Sequence, residues 1–408
     1  MNTKIIGIGA AGNKAAIKSV QEDIVPENSI LLMNTANQDI PVNFKGRSLM
    51  FGPTAGGGGC GKERERSQAF IADFMESNDG LQKALNQLIS PGDLVVIVSS
   101  TEGGTGSGAS PIIASYVSEV IGVRPHLIAF TGTEDDLRGL QNTLNFFKDC
   151  AEMCADCTVE AISNKKFMSA ANNNKLKAEE LANDAFIKSL KVLQGNMLKE
   201  SYQNIDPMDH LKLVTTNGYM SILYTQTHEA IETVEQFNDL CDKMIKKSKA
   251  LPTGSNRCVR MGVILTINED DKDAIDWSFN TIKSQFAEVG EVFTHVQNSV
   301  NETRQIIVIE CGLEMPLKFV AATYEQLKSR MAKSAKQTDF AATMKSIDAS
   351  SDMFNFDNAM SKTTTTSSND FLKKLKKNTG NTGIGATTGG GAVDATAPKK
   401  KSDDLKNY

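Results

Sequence analysis

The sequence lacks any run of about 18 apolar residues, which is the length that a membrane-spanning helix needs. Its start passes from Met1 into Ile5–Ile8 without the longer apolar stretch and cleavage site of a secretory signal. Seven cysteines, an odd number in 408 residues, favour free thiols in a reducing compartment. We therefore expect a cytoplasmic protein with no membrane partner.

Several kinds of site are also missing. Four histidines are dispersed along the chain and suggest no catalytic triad, and no G-x-x-x-x-G-K-[ST] sequence indicates a Walker-type phosphate loop. Cys150, Cys154 and Cys157 share one apolar helix face without a fourth Cys or His nearby, so we predict core packing rather than a metal site. The single tryptophan, Trp277, is expected in the core or at an interface.

Charge is unevenly distributed along the chain. Residues 330–408 hold 13 Lys+Arg and 8 Asp+Glu, a net charge of +5, whereas residues 1–329 carry a net charge of −10. The acidic body gives no general attraction for nucleic acid. The basic clusters Lys373–Lys377 and Lys399–Lys401 could bind DNA or an acidic partner; the alternative is a solvated charge run that keeps the protein soluble.

The first half of the chain alternates strand-like and helix-like segments. Strands are predicted at Lys4–Ile8, Ser29–Met33, Asp93–Ser99, His126–Phe130 and Thr158–Ser163, with helices between them. Apolar runs without alternation are typical of a parallel sheet that is covered on both faces. The fold class is therefore α/β, with a doubly wound nucleotide-binding domain.

A long helical stretch, Leu176–Leu198, precedes a second set of elements. These are helix Glu229–Lys247, strand Val259–Ile267, helix Asp270–Ala287, paired strands Glu291–Val296 and Gln305–Glu310, and helix Leu317–Ala335. We predict a nucleotide-binding domain (1–175), a long central helix (176–203), a smaller α+β domain (204–335), and a helix extension with a flexible tail (336–408).

Glycine loops precede several of the predicted helices. Gly7–Gly12 satisfies G-x-G-x-x-G after a strand, which indicates a dinucleotide-binding site or, alternatively, a tight strand–helix turn. The dinucleotide interpretation also needs an acid about 20 residues further on. The second strand ends at Asn34 with no acid before Asp39, which weakens that interpretation.

Two further glycine loops strengthen the case for a phosphate ligand. Gly103–Gly108 follows the clearest buried strand, and its backbone N–H groups, with the hydroxyls of Thr105 and Ser107, can form an anion-binding concavity. Gly56–Lys62 precedes another helix, although a flexible surface loop is its alternative. Three such loops in one α/β pattern indicate a ligand with several phosphates.

Together these motifs follow one characteristic order: Gly7–Asn13, Asn34–Gln38, Gly103–Gly108, Ser163-Asn164 and Asn204–Asp209. In that order and spacing they resemble the tubulin/FtsZ superfamily of polymerising GTPases. Gly59–Arg64 further resembles the third loop of the phage and plasmid branch, the TubZ-like proteins. Two positions depart from the family pattern: Ala36 replaces an aspartate of the second loop, and Glu179 replaces an aromatic residue that stacks on guanine.

The resemblance implies a GTP/GDP site with Mg²⁺. The implied nucleotide-binding residues are Gly9, Ala10, Ala11, Gly12, Asn13, Asn34, Gln38, Gly57, Gly58, Gly59, Gly103, Gly104, Thr105, Gly106, Ser107, Gly108, Glu134, Asn164 and Asn183. No metal ligand is assigned. It also implies that Asn204, Asp206 and Asp209 form a catalytic loop that acts on the nucleotide of the next subunit. The alternative for Asn204–Asp209 is a helix N-cap, since Asp206-Pro207 begins a helix well.

The resemblance thus implies a head-to-tail filament that moves or segregates plasmid or phage DNA, with a DNA-bound adaptor protein recruited by the basic tail. An FtsZ-like division protein, or a phage tubulin that positions virions or DNA, is the alternative. A dinucleotide-dependent oxidoreductase built on Gly7–Gly12 is the more distant one.

Overall fold

The computed structural model describes residues 2–37, 40–52, 58–77, 79–195, 201–299 and 302–337. The strands are β1 (Thr3–Ile8), β2 (Ile30–Asn34), β3 (Arg47–Met50), β4 (Leu94–Ser100), β5 (Pro125–Thr131), β6 (Thr158–Ser163), β7 (Ser201–Gln203), β8 (Gly218–Thr227), β9 (Arg257–Ile267), β10 (Glu288–Asn298) and β11 (Arg304–Leu313). The α-helices are α1 (Gly9–Gln21), α2 (Arg64–Ser77), α3 (Gly80–Leu88), α4 (Thr105–Tyr116), α5 (Leu137–Met153), α6 (Lys175–Leu193), α7 (Pro207–Val214), α8 (Val234–Lys246), α9 (Asn280–Lys283) and α10 (Leu317–Gln337).

The strands of the described residues form one sheet in the order β3-β2-β1-β4-β5-β6-β8-β11-β9-β10-β7. Strands β1 to β6 pair in parallel, and β8 continues the parallel series beside β6. The chain winds outward from β1 to β2 and β3, then crosses back to β4. The doubly wound α/β prediction is confirmed, with a topological switch point between β1 and β4.

Burial explains why the parallel strands read as continuous apolar runs. On one face of the sheet, Val96 and Ile128 join a core cluster with residues of α1 and α6. The neighbours that point to the other face, such as Ile97 and Leu127, are equally buried. Both faces of the parallel half are therefore covered, as the sequence predicted.

The central helix α6 ends at Leu193 rather than at the predicted Leu198, and β7 lies within the range 176–203 that was assigned to it. The elements after it differ from the sequence prediction in three further places. First, β8 was not predicted, because its residues are only partly buried and the strand depends on pairing with β11 along its length. Second, the strands predicted as a pair near 291–296 and 305–310 do not pair with each other. Strand β9 lies between β10 and β11 and is parallel to one and antiparallel to the other.

Third, the helix predicted over Asp270–Ala287 is wrong. The segment holds a 3-10 helix, Glu269–Ala274, and the short helix α9. Between them, the carboxylate of Asp276 accepts hydrogen bonds from the backbone N–H groups of Ser278 and Asn280, each at 3.0 Å. This local side-chain turn competes with helix formation, and Phe279 has a left-handed φ of 53°.

Isolated side chains also test the sequence predictions. All seven cysteines are free and buried, so core packing of Cys150, Cys154 and Cys157 is confirmed. Trp277 is 46% exposed, which rules out the predicted core position. In the described part of the chain, no helix has both the length and the apolar character needed to cross a bilayer. The predicted tail lies beyond the described residues, and the predicted domain boundaries stay predictions.

Candidate nucleotide-binding site

The predicted loops follow the carboxyl ends of adjacent parallel strands. Strand β1 ends at Ile8 beside Gly9, β2 ends at Asn34, and β4 ends at Ser100 shortly before Gly103. Ligands of doubly wound sheets bind in the crevice at this edge, where the strand order reverses. The fold therefore brings three predicted loops to one crevice: the first (Gly7–Asn13), the second, which begins at Asn34, and the fourth (Gly103–Gly108).

The glycines of the first loop have two different functions. A Cβ on Gly12 would lie 2.1 Å from the carbonyl oxygen of Val98, and one on Gly7 would lie 2.8 Å from the carbonyl oxygen of Gly12. These two glycines permit α1 to pack closely on the sheet. Gly9 instead has a left-handed φ of 75°, and its Cβ would lie 3.2 Å from the backbone nitrogen of Gly106. The first and fourth loops are thus in contact.

Side-chain hydrogen bonds join the second loop to the others. The hydroxyl oxygens of Thr35 and Thr105 lie 2.8 Å apart. The thiol of Cys60, in the third loop, lies 3.6 Å from the Thr35 hydroxyl. Asn34 uses its side-chain oxygen to accept from the Thr35 N–H at 2.8 Å, which fixes the turn after β2. Loops from distant parts of the chain therefore hold one another in place.

The third loop packs directly on the fourth. A Cβ on Gly104 would lie 2.8 Å from the Cβ of Cys60, so only glycine permits this approach. The amide of Asn142 on α5 donates to the carbonyl oxygens of both Lys62 and Glu102, each at 2.9 Å. These bonds hold the third loop against the start of the fourth.

Arg64, at the start of α2, also stabilises the contact between the third and fourth loops. Its side chain is only 4% exposed, pairs with Asp149, and donates to the carbonyl oxygen of Ser107 at 3.2 Å. The hydroxyl of Ser107 donates to the carbonyl of Gly103, so Ser107 stabilises the loop itself rather than offering a free donor.

Some loop glycines face open space. A Cβ on Gly58 or Gly103 would meet nothing within 4 Å, and one on Gly59 would only reach Ala36 at 3.9 Å. Helix α4 begins immediately after, at Thr105. Backbone N–H groups at a helix start, next to open space, are suited to an anion. Gln38 and Gly57 lie outside the described residues.

Two asparagines predicted to bind the nucleotide have unpaired amide atoms in the described structure. Asn13 is fully buried, yet neither its amide nitrogen nor its amide oxygen has a hydrogen-bond partner. The side-chain oxygen of Asn164, after β6, also lacks one. A buried unpaired polar group costs about 1–3 kcal/mol and calls for an explanation such as a ligand.

An acidic loop lies beside the third and fourth loops. Asp136 pairs with Lys62, and this hydrogen bond lowers the pKa of Asp136. Hydrogen bonds from the Thr133 hydroxyl and then from Lys175, 3.0 Å away, lower the pKa of Asp135. Glu134, predicted to bind the ribose, lies 3.6 Å from Lys165. Lysine therefore neutralises each of these carboxylates.

Glu102 was not singled out from the sequence, although it directly precedes the fourth loop. Its carboxylate fills the space beside Gly132 and Gly139, where a Cβ would lie 1.7 Å and 2.9 Å from its Cδ. Burial raises the pKa of Glu102, and the charge of Lys62 opposes that rise. A glutamate in a glycine-rich run gives no sequence signal for such burial.

The central helix α6 carries the residue predicted to contact the base. Asn183 is half-buried, and the neighbouring Asp184 pairs with Lys18 of α1, which fixes α6 against the helix of the first loop. This ion pair was not predicted. Position 179 holds an exposed glutamate, so α6 offers no aromatic side chain there to stack on a guanine.

The two ends of α6 lie at opposite edges of the sheet. Lys175, its first residue, pairs with Asp135 of the acidic loop beside the glycine loops. Gln194, just after its last residue, donates to the hydroxyl of Thr3 at the start of β1, at 2.9 Å. At 1.5 Å per residue, the helix is about 28 Å long. It therefore spans the body from the crevice to the opposite edge.

The predicted catalytic loop lies at this far end. Asp206 caps α7, since its carboxylate accepts from the Met208 N–H at 2.7 Å, and Pro207 is the first helical residue. The capping role is thus confirmed, and it leaves the second carboxylate oxygen of Asp206 available. Asn204 and Asp206 are exposed, and Asp209 is half-buried. The carboxylates lie away from the glycine loops of their own chain.

Together, the crevice and its loops have the geometry of a nucleotide-binding site in a doubly wound sheet. Residues 2–177 match the family described as "Tubulin/FtsZ family, GTPase domain". Residues 2–177 are thus similar to the GTPase domain of the tubulin/FtsZ family. The match disfavours the dinucleotide interpretation of Gly7–Gly12.

Known proteins resemble this chain at low identity. Cell division protein FtsZ 1 of Pyrococcus abyssi is 22% identical over 237 residues, which is 57% of this chain and 61% of that protein. The chain thus spans about three fifths of that relative's length.

Solved structures share the fold. The GTPγS-bound protofilament of CetZ2 from Haloferax volcanii has a TM-score of 0.64 and 18% identity, covering 82% of this chain and 99% of that chain. The GTPγS-form protofilament of Bacillus thuringiensis serovar israelensis TubZ has a TM-score of 0.65 and 15% identity, covering 83% and 95%. At these identities the likeness concerns the fold.

Proposed function

We propose that this protein binds and hydrolyses GTP and polymerises head-to-tail into filaments. The observation that carries the proposal is the separation of two incomplete half-sites by α6. Phosphate-binding loops with open glycines and the unpaired amide of Asn13 lie at one end. The exposed carboxylates of Asp206 and Asp209 lie at the other, about 28 Å away along the helix.

The chemistry follows from that separation. Phosphoryl transfer needs positioned water and stabilised phosphate charge. The loops supply N–H donors, but the carboxylates that could orient water are out of reach in the same chain. Stacking a second copy head-to-tail brings Asp206 and Asp209 over the first copy's nucleotide. Such a heterologous contact does not close on itself, so it extends into a filament.

Mg²⁺ fits this site as a partner of the nucleotide rather than of a protein cage. Among the described residues, no group of three or more His, Cys, Asp or Glu is placed to hold a metal ion. Mg²⁺ commonly keeps several waters and binds substrate phosphates with few protein ligands. When bound, the ion would neutralise phosphate charge, while the backbone N–H groups of Gly103–Gly108 orient the phosphates.

We also propose a separate role for each segment of the chain. Residues 1–175 bind the nucleotide, α6 within 176–203 connects the halves, and residues 204–335 carry the catalytic loop. Residues 336–408 would then be a basic extension for cargo. The common sheet is consistent with this assignment, because β1 to β6 lie on one side of β8, and β9, β10 and β11 lie on the other.

For the biological role we propose a TubZ-like filament in the cytoplasm that moves or segregates plasmid or phage DNA. The third-loop sequence Gly59–Arg64 and the likeness to a TubZ protofilament support it. The basic tail, with its net charge of +5 over 330–408, is the proposed contact for a DNA-bound adaptor.

A division protein is the second candidate. It is favoured by the named relatives, which include cell division proteins FtsZ that are 22–24% identical to this chain. Deleting residues 338–408 and measuring adaptor or DNA recruitment separates the two. A segregation filament loses recruitment and keeps its GTPase activity, whereas a division filament shows no such recruitment from the outset.

The direct test of the function combines binding with electron microscopy. The full chain is mixed with GTP, GDP, a non-hydrolysable GTP analogue or NAD, each with Mg²⁺. We expect filaments with GTP and the analogue, phosphate release only with GTP, and no binding of NAD. Binding of NAD without binding of GTP would contradict the proposal.

A further inference from the structure

His210 directly follows the catalytic loop and contacts the central helix. It lies in α7 and is only 4% exposed. Its Nε2 lies 3.2 Å from the carbonyl oxygen of Leu193, the last residue of α6. A carbonyl only accepts, so this contact requires the proton on Nε2. One hydrogen bond therefore connects the helix of the catalytic loop to the helix that leads back to the nucleotide.

The other ring nitrogen of His210 has no hydrogen-bond partner. Its Nδ1 is buried and unpaired. On β10, His295 is also buried with an unpaired Nδ1, while its Nε2 lies 3.2 Å from the side-chain oxygen of Gln297. Gln297 in turn donates to Thr266 at 2.8 Å. In both imidazoles, Nε2 is in a hydrogen bond and Nδ1 is buried without a partner. A proton added to Nδ1 would give the ring a positive charge with no acceptor for the new N–H.

No carboxylate in the surrounding strands compensates such a charge. On β10, Glu291 is 2.7 Å from both Lys212 of α7 and Arg260 of β9, so its charge is already matched. On β11, Ile309 lies on the face of the sheet that packs against α7, as Gly262 does. Side chains alternate along a strand, so the next residue, Glu310, points to the opposite face, where it accepts a hydrogen bond from Gln285. Asp206 and Asp209 precede His210 in the same segment, and both are more exposed than it is.

We propose that neutral His210 is a positioning residue for the catalytic loop, which it holds in register with the central helix through its bond to Leu193. The inference rests on the proposed function, because it needs Asp206 and Asp209 to act on a nucleotide. His210 itself touches no nucleotide in this arrangement. It sets where α7 begins relative to α6, and therefore how far the carboxylates project toward the next copy.

The position also makes turnover sensitive to acid. Burial lowers the pKa of His210 below its ordinary 6.5. Hydrogen bonds to the backbone of Leu193 and Val192 oppose that shift, and the neighbouring His295 adds to it. The bond to Leu193 survives protonation, because Nε2 keeps its proton, but the buried ring then carries an unmatched charge. With a depressed folded-state pKa, the stability of this neutral packing is fully present above about pH 6.5. It is lost progressively as the pH falls from there through the folded-state pKa. We therefore expect the hydrolysis rate to fall over this acidic part of the pH profile, which we call the acid limb.

Two substitutions separate positioning from packing. In His210→Gln, the side-chain amide replaces the Nε2–H donor without a titrating group, whereas His210→Phe keeps an aromatic ring but has no donor. Full-length proteins are assayed for kcat, KM for GTP, filament mass and the pH profile of kcat between about pH 5 and 8. The wild-type protein and the Asp209→Ala variant are assayed in the same way as controls.

We expect His210→Phe to lower kcat by roughly 10- to 100-fold, the scale of a small misplacement, with little change in KM. His210→Gln should stay within about threefold of wild type at pH 7.5, and its acid limb should move to lower pH. A His210→Phe protein with the wild-type rate would overturn the inference. If that variant does not fold, an unchanged acid limb in His210→Gln overturns it instead.

The Asp209→Ala protein distinguishes this failure from that of the proposed function. If Asp209→Ala still turns over normally, the proposed catalytic loop is wrong and the role of His210 falls with it. If Asp209→Ala is inactive while both His210 variants behave as wild type, only the positioning role fails.

Discussion

The two ends of the central helix are built in contrasting ways. At the crevice, the loops interlock through backbone contacts and buried hydroxyls such as Thr35 and Thr105, and the side chain of Asn13 is fully buried. At the far end, Asp206 is exposed and Asp209 is half-buried. The first end is shaped to surround a ligand and the second to present carboxylates outward. Under the proposed function, each end supplies what the other lacks for hydrolysis.

The largest expected effect comes from removing a carboxylate at the far end. Asp209→Ala should lower kcat by about 10²–10⁴-fold, the usual contribution of a general acid or base. GTP affinity should stay unchanged, because the glycine loops are remote. Filaments should persist instead of disassembling. Phosphate release and pelleting measure the two properties, and Asp239→Ala is the control, since Asp239 is an exposed helical aspartate paired with Lys243. A loss of GTP binding in Asp209→Ala would break the comparison between the two ends.

A smaller effect is expected at the crevice. Thr105→Ala removes the 2.8 Å contact with Thr35, and should weaken GTP binding by about tenfold, the worth of roughly one hydrogen bond. Assembly should weaken in parallel, because the filament depends on bound nucleotide. Ser284→Ala, which removes an exposed hydrogen bond to the carbonyl of Thr281, is the matched control. Unchanged affinity in Thr105→Ala, measured by equilibrium titration, counts against a role of the fourth loop in binding.

The smallest effect concerns stability alone. Burial raises the pKa of Glu310 to about 7. An acid with a raised folded-state pKa stabilises the fold when it is protonated, and this contribution is lost as the pH rises from about 4.5 through 7. Glu310→Gln should therefore raise the free energy of unfolding by about 1–2 kcal/mol at pH 8 and change it little at pH 5. Denaturant unfolding at both pH values tests this, and a gain at pH 5 would contradict it. GTP affinity should not move.

The parallel half was predictable because its residues carry local signals. Leu94–Ser100 is a continuous apolar run, and the loop after it is dense in glycine, so strand and turn were identified together. The resemblance to one family then gave the order of the site residues. The far end was only partly predictable: Asp206-Pro207 marks a helix start, and the structure has that cap.

What the sequence did not reveal depends on contacts between distant residues. Strand β8 acquires its pairing from β11, nearly a hundred positions later in the chain. His210 meets Leu193 across a turn, and Lys18 meets Asp184 between two helices. No periodicity encodes such pairs, since each depends on how helices pack after the sheet has formed. Close packing on the sheet already requires glycine at positions 7 and 12, and the binding role predicted for Gly12 stays a prediction.

In the proposed mechanism, one hydrolytic site needs two copies of the chain. The most direct measurement is GTP turnover per subunit as a function of protein concentration, with filament mass followed by pelleting in the same samples. If the half-sites of two copies combine, turnover per subunit is near zero at low concentration and rises with filament mass above a threshold. A turnover per subunit that is constant from dilute monomer to filament would contradict the claim.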